Sequence, residues 1–266
     1  MDAPLVDYRV DGRAAHLTLN SPHNRNALST ALVTQLHEGL RSAVADPRVR
    51  MVVLGHTGGT FCAGADLSEA TDAGPQDAAA ARAREMTTLL RAIVQCPLPV
   101  IGVVDGHVRA GGMGLVGACD IVVAGPKSTF ALTEARIGVA PAIISLTLLP
   151  KMTARAAGRY FLTGETLTAA HAADIGLVTV AVSAASDMAS TVADLVTALG
   201  KGSPQGLAAS KALTTASILR AFDADAEDLT VASARLFTSD EAREGMLAFL
   251  QKRPPEWAKS ADEPEE

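Results

Sequence analysis

Aromatic side chains make up only 3% of the 266 residues, which excludes a core built on stacked rings and leaves Ala, Val, Leu and Ile to fill it. Such a core needs close backbone contacts, and the 22 glycines permit them. Cysteine is also scarce. Cys62, Cys96 and Cys119 lie far apart with no C-x-x-C pair, so neither a disulfide framework nor a zinc ribbon is indicated, and a reducing compartment fits. No apolar run reaches the roughly 18 residues that a membrane span needs, and Met1-Asp2-Ala3-Pro4 has no basic segment leading into an apolar one. The expectation is a soluble cytoplasmic protein with no membrane partner. Positive charge is in deficit, with a formal net charge of −6. That opposes nucleic-acid binding, because gripping phosphates by counterion release requires a basic surface. The six histidines show no pair at metal-ligand spacing, so no metal site is expected.

What is present reads as layered α/β packing. Leu5 to Val10 and Ala14 to Asn20 form two strands around Asp11-Gly12, a common hairpin signal. Ser29 stands as the N-cap of a helix whose apolar stripe is Leu28, Leu32, Leu36, Leu40 and Val44. Met51 to Leu54, Val100 to Val104 and Ile121 to Ala124 are unbroken apolar runs, as expected of strands covered on both faces. A short strand is expected around Phe130 to Leu132. The stretch Thr71 to Asp77 reads as loop, with Asp72 to Ala79 mobile, followed by an Ala/Arg-rich helix that stops near Pro97. Thr153 and Thr168 are candidate N-caps for Ala154 to Leu162 and Ala169 to Ile175, with Gly164 and Gly176 at the C′ positions. From Ser186 the chain is almost wholly helical, and the acidic end Asp262 to Glu266 is expected to fray. The division expected is a core over 1–196 and a helical C-terminal region over 197–266, serving in oligomerisation or as a lid.

Two segments put small residues just beyond a strand. One is Phe61-Cys62-Ala63-Gly64-Ala65-Asp66-Leu67, and the other runs from Asp105-Gly106 to Ala110-Gly111-Gly112-Met113-Gly114. Backbone N–H groups freed there can point at an anionic oxygen, and a helix opening at Gly111 adds its positive end. Two such groups would make an oxyanion hole. Either segment alone is equally readable as a tight turn or a close helix-on-sheet approach. The second lacks the G-x-G-x-x-G spacing of a dinucleotide loop, and no G-K-[ST] supports a P-loop.

Taken in order, several segments resemble the enoyl-CoA hydratase/isomerase (crotonase) superfamily. They are Asn24-Arg25-Asn26-Ala27-Leu28-Ser29, the stretch Phe61 to Leu67, Asp105-Gly106 with Ala110 to Gly112, Ala118 to Ile121, Phe130 to Glu134, Gly164-Glu165 and Ala172 to Val178. The resemblance covers roughly residues 17–180, with a last piece at 244–252. It implies a ββα spiral core with a helical C-terminal extension and a homo-trimer or hexamer. It also implies an acyl-CoA thioester substrate and no cofactor, coenzyme A being part of the substrate. By the same resemblance, the N–H groups of Ala65 and Gly111 hold the thioester carbonyl. Asn24, Arg25, Ala63, Asp66, Leu67 and Gly112 lie along the coenzyme A, and Phe249 and Lys252 close over it.

Many hydratases of this kind hold the attacking water between two glutamates. Here Glu134 matches one of them and Gly114 stands in place of the other. The resemblance to bacterial methylglutaconyl-CoA-type hydratases favours hydration with Glu134 as acid/base, in fatty-acid or branched-chain acyl-CoA degradation. The missing carboxylate keeps a Δ3,Δ2-enoyl-CoA isomerase and a non-catalytic CoA-ester-binding homologue open as alternatives. On composition alone Glu134 could equally pair with Arg136, Cys62 could be a buried packing residue or a nucleophile, and Arg109 could face a substrate carboxylate or solvent.

Overall fold

The computed structural model describes residues 4–66, 69 and 74–259. An antiparallel hairpin, β1 (Val6–Asp11) and β2 (Ala14–Leu19), turns at Gly12 with φ 57°. Helix α1 (Thr30–Ala45) follows, with the Ser29 hydroxyl accepting from the Leu32 N–H at 3.2 Å, a cap worth about 1 kcal/mol. The four-residue stripe does not hold to its end. Leu32, Leu36 and Leu40 are buried, but Val44 is exposed and Ala43 takes the inward position, because a strict spacing of four drifts around a helix of 3.6 residues per turn.

Three ββα turns then repeat. β3 (Met51–His56) leads to β4 (Thr60–Cys62) and α2 (Pro75–Gln95). β5 (Val100–Val104) leads to β6 (His107–Arg109) and α3 (Gly111–Ala118). β7 (Ile121–Ala124) leads to β8 (Thr129–Ala131), the 3-10 turn Glu134–Ile137 and α4 (Ala142–Leu148). Helix α5 (Ala154–Thr163), β9 (Leu167–Thr168), α6 (Ala169–Asp174) and β10 (Val180–Ala181) complete the core. The first strand of each turn enters a six-stranded sheet of order β1-β2-β3-β5-β7-β10, and the second enters a four-stranded sheet of order β4-β6-β8-β9. This is the expected spiral of mixed α/β layers, and the described C-terminal region is helical as anticipated. One expectation needs correction: of the stretch Thr71 to Asp77, Pro75 to Asp77 are the start of α2 and not loop, Pro75 sitting at the helix start where its missing N–H costs nothing. Thr71 to Ala73, and the acidic end Asp262 to Glu266, fall outside the described residues.

The C-terminal helices are α7 (Asp187–Leu199), α8 (Pro204–Phe237) and α9 (Asp240–Gln251). Helix α8 lies across α2 and α4 of the same chain. Its buried Lys211 pairs with Asp120 at 2.7 Å and donates to the carbonyls of Ile93 and Leu98, both at 3.0 Å. Asp120 in turn accepts from the Val100 N–H at 2.8 Å. A buried charge pair of this kind is held only when its remaining hydrogen-bond capacity is satisfied, and here it ties α8 to the start of β7. No helix among the described residues is long and apolar enough to cross a membrane.

Candidate active site

Within the small sheet β6 lies between β4 and β8, and all three run parallel: Cys62 pairs with Val108, and Arg109 with Ala131. Each strand therefore ends at the same edge. Ala65 lies three residues beyond β4, Gly111 two beyond β6, and Glu134 three beyond β8. Neighbouring strands stand about 4.8 Å apart, so the topology gathers two backbone donors and one carboxyl at one place from positions spread over 70 residues of sequence.

The first donor is prepared by a β-bridge between Leu28 and Ala65. Leu28 N–H donates to the Gly64 carbonyl at 2.7 Å, and Asp66 N–H donates to the Leu28 carbonyl at 3.1 Å. Alternation along the strand then turns the Ala65 N–H to the opposite side, where no acceptor meets it among the described residues. The second donor opens α3, whose first N–H groups have no intrahelical partner, and that of Gly111 meets no acceptor among the described residues either. Ala110 before it has φ 46° and ψ −122°, a conformation normally left to glycine, which sets the peptide plane carrying that N–H. The two loops touch. Gly64 has φ 105°, and a Cβ there would lie 2.7 Å from the Ala110 methyl and 3.3 Å from the Gly111 nitrogen. A small pocket lined by Leu28, Val33, Ala65, Asp66, Arg82 and Met86 adjoins the pair.

Glu134 is only 7% exposed, and its Oε2 has no hydrogen-bond partner among the described residues. Burial raises its carboxyl from 4.5 to about 7, opposed only by its own backbone N–H. Desolvation penalises the charged form, so an uncompensated buried carboxyl becomes a proton carrier near neutral pH. The pairing with Arg136 is not made: the Arg136 Nε donates to the Thr163 carbonyl at 2.9 Å.

The surrounding residues fall into clear roles. Asn24 links its turn to Asp66, Nδ2 to Oδ2 at 3.2 Å, and Arg25 accepts from the Ala63 N–H at 3.1 Å while turning left-handed at φ 61°. Asn26, read only as part of a motif, is fully buried and pins three segments. It donates to the carbonyls of Thr57 at 3.0 Å and Thr60 at 2.8 Å and accepts from the Ser21 N–H at 2.7 Å. Gly112 answers to packing, since a Cβ there would lie 2.6 Å from the Cys62 carbonyl oxygen. Leu67 lies outside the described residues. Phe249 is 69% exposed on α9, and Lys252 forms the left-handed turn that ends it. That helix seats on the Glu134 segment through Gly245, whose Cβ direction runs into Ile137.

The other candidates resolve. Cys62 is buried and its thiol is pushed up to about 12, which disqualifies it as a nucleophile. Arg109 is half-buried and spends its guanidinium on the carbonyls of Val108 and Thr129, both at 2.8 Å, and on the Thr129 hydroxyl at 3.0 Å. Its guanidinium is thus tied to β6 and β8. Among the described residues no group of three His, Cys, Asp or Glu is placed to hold a metal ion.

A family model described as enoyl-CoA hydratase/isomerase matches residues 11–260. The 2,3-dehydroadipyl-CoA hydratase of Escherichia coli is 32% identical over 247 residues, covering 92% of this chain and 95% of that protein. The peroxisomal Delta(3,5)-Delta(2,4)-dienoyl-CoA isomerase of Arabidopsis thaliana is 26% identical over 267 residues, covering 96% of each. Among solved structures, an enoyl-CoA hydratase from Mycobacterium avium is similar at TM-score 0.90 and 67% identity, with 97% of this chain and all of that one covered.

Proposed function

This chain belongs to the enoyl-CoA hydratase/isomerase family, and from that premise we propose that it hydrates a 2-enoyl-CoA thioester with Glu134 as its single acid/base. The observation carrying this reading is the buried carboxyl with a value of about 7 and an oxygen that has no partner among the described residues, one strand away from the Gly111 N–H and two from that of Ala65, neither of which meets an acceptor among the described residues. The donors of Ala65 and Gly111 receive the thioester oxygen. Ionised Glu134 takes a proton from water as the water oxygen bonds to C3. The C2–C3 π electrons shift to form an enolate whose charge rests on the thioester oxygen. Glu134, now protonated, returns that proton to C2 as the carbonyl re-forms. One water is consumed and the carboxylate is regenerated. Donors aimed at the enolate oxygen act more on the transition state than on the ground state.

Asn24, Arg25, Ala63, Asp66, Leu67 and Gly112 are proposed to line the coenzyme A, with Phe249 and Lys252 closing over it and the active form a homo-trimer or a hexamer. The names of similar proteins support both hydration and isomerisation. One observation favours the second reading, a Δ3,Δ2-enoyl-CoA isomerase: position 114 carries no carboxylate, and one base suffices to move a proton between C2 and C4. The test is spectroscopic. With a 2-enoyl-CoA the absorbance of the conjugated thioester should fall as water adds. If only a 3-enoyl-CoA reacts, with that absorbance rising, the hydratase reading is wrong.

A further inference from the structure

The glycine at 114 has a structural cause beyond the absence of a carboxylate. Gly111, Gly114 and Gly117 follow one another at intervals of three along α3 and are all buried. At that spacing they share one face of the helix. A Cβ on Gly114 would lie 2.6 Å from Ile144 Cγ2, 3.1 Å from Ile144 Cβ and 3.1 Å from Leu90 Cδ1. On Gly117 it would lie 2.9 Å from the Thr147 carbonyl oxygen. Ile144 and Thr147 are themselves three apart on α4, so two residues of α4 seat on two glycines of α3. The Thr147 hydroxyl also donates to the Gly114 carbonyl at 3.1 Å, locking the approach. From the other side α2 supplies Met86 and Leu90, four apart: Met86 Cε lies 2.5 Å from a Cβ built on Gly111, and Leu90 stands over Gly114. The place into which a side chain at 114 would grow is thus filled by apolar atoms, one helical turn from a donor of the oxyanion hole. Ile144 and Leu90 are both buried, and neither offers water a hydrogen bond.

Resting on the reading of Glu134 as the acid/base, we infer that Ile144 is a specificity-determining residue: its side chain occupies the position from which a second carboxylate would hold water, and so limits hydration relative to proton migration. The site selects between the two reactions by the volume of one residue on α4. Met86 and Leu90 leave α2 in place when Ile144 is reduced, so the space opens without removing any group that touches the thioester.

The experiment measures kcat/KM for hydration of a 2-enoyl-CoA against isomerisation of the matching 3-enoyl-CoA, taking the detection limit where one is silent. The double variant Gly114→Glu/Ile144→Gly should raise the hydration share at least about tenfold, the low end of what a positioned acid/base contributes. Gly114→Glu alone should lower Tm or fail to fold, since Ile144 still fills the space; a variant with wild-type Tm overturns the inference. If the double variant folds and its ratio stays within about twofold of wild type, the inference is also overturned. Should the double variant not fold, Gly114→Asp/Ile144→Ala, with a shorter carboxylate, takes its place: a raised hydration share supports the inference, and an unchanged share defeats it. Glu134→Gln in the same assays separates the two levels. Undiminished turnover there sinks the acid/base reading, whereas lost turnover with an unchanged ratio in the Ile144 variants sinks only the role of Ile144.

Discussion

Replacing Glu134 by Gln should alter stability in a way that depends on pH, with a sign fixed by the direction of its shift. Burial raises the carboxyl from 4.5 to about 7, so the folded chain holds this proton more tightly than the unfolded chain. Below the unfolded value both states are protonated and the group costs nothing. As pH rises from there through the folded value the unfolded state ionises first and folding loses stability, up to about 3 kcal/mol from the 1.36 kcal/mol carried by each pKa unit. Gln keeps the shape and does not titrate. An unpaired amide has its own cost, but that cost is the same at every pH and cancels in the comparison. Urea unfolding of both proteins, measured at about pH 5 and about pH 8, should show the variant gaining on wild type by about 2.5 kcal/mol between the two. A stability difference that does not change with pH would refute the claim that the fold holds this carboxyl near neutrality against its own stability.

Three further outcomes are expected. Ala65→Pro removes one donor of the proposed oxyanion hole and should lower turnover at least about a hundredfold; near-normal turnover in a folded variant, followed by absorbance, counts against that proposal. The rate at saturating substrate should fall about tenfold per pH unit below the Glu134 value of about 7, because the ionised form begins the cycle, and a pH profile flat from 5 to 8 contradicts this. Lys211→Met leaves Asp120 charged and largely buried with its partner gone, and should destabilise by about 3–5 kcal/mol; a denaturation midpoint unchanged from wild type would show that the pair does not hold α8 to the core.

Sequence patterning reveals one of the two sheets and conceals the other. Met51 to Leu54, Val100 to Val104 and Ile121 to Ala124 are unbroken apolar runs, and each is a strand of the large sheet. Patterning reaches the small sheet only in part, through Phe130 to Leu132. Its strands Thr60–Cys62 and His107–Arg109 are three residues long and sit inside glycine-rich stretches, too short for a period of two to register. Yet it is this sheet that brings Ala65, Gly111 and Glu134 to one edge. Helix α4 is seven residues long and begins after Pro141, where no periodicity announces it, so the contact of Ile144 with Gly114 was not legible. The buried pair of Lys211 and Asp120 joins positions 91 residues apart, beyond any local pattern. Glu134 was legible only through the resemblance, since its composition and neighbours suit a surface ion pair equally well. The raised carboxyl needed the structure, because burial is a property of what surrounds it.

The most direct test of proton transfer by Glu134 is turnover of the wild type and Glu134→Gln on matched 2-enoyl-CoA and 3-enoyl-CoA substrates, with acyl-CoA binding measured on the same preparations. The account predicts that the variant folds and binds acyl-CoA as the wild type does, and that its rate on whichever substrate the wild type turns over falls by at least about two decades. Wild-type turnover by Glu134→Gln, with binding intact, would contradict it.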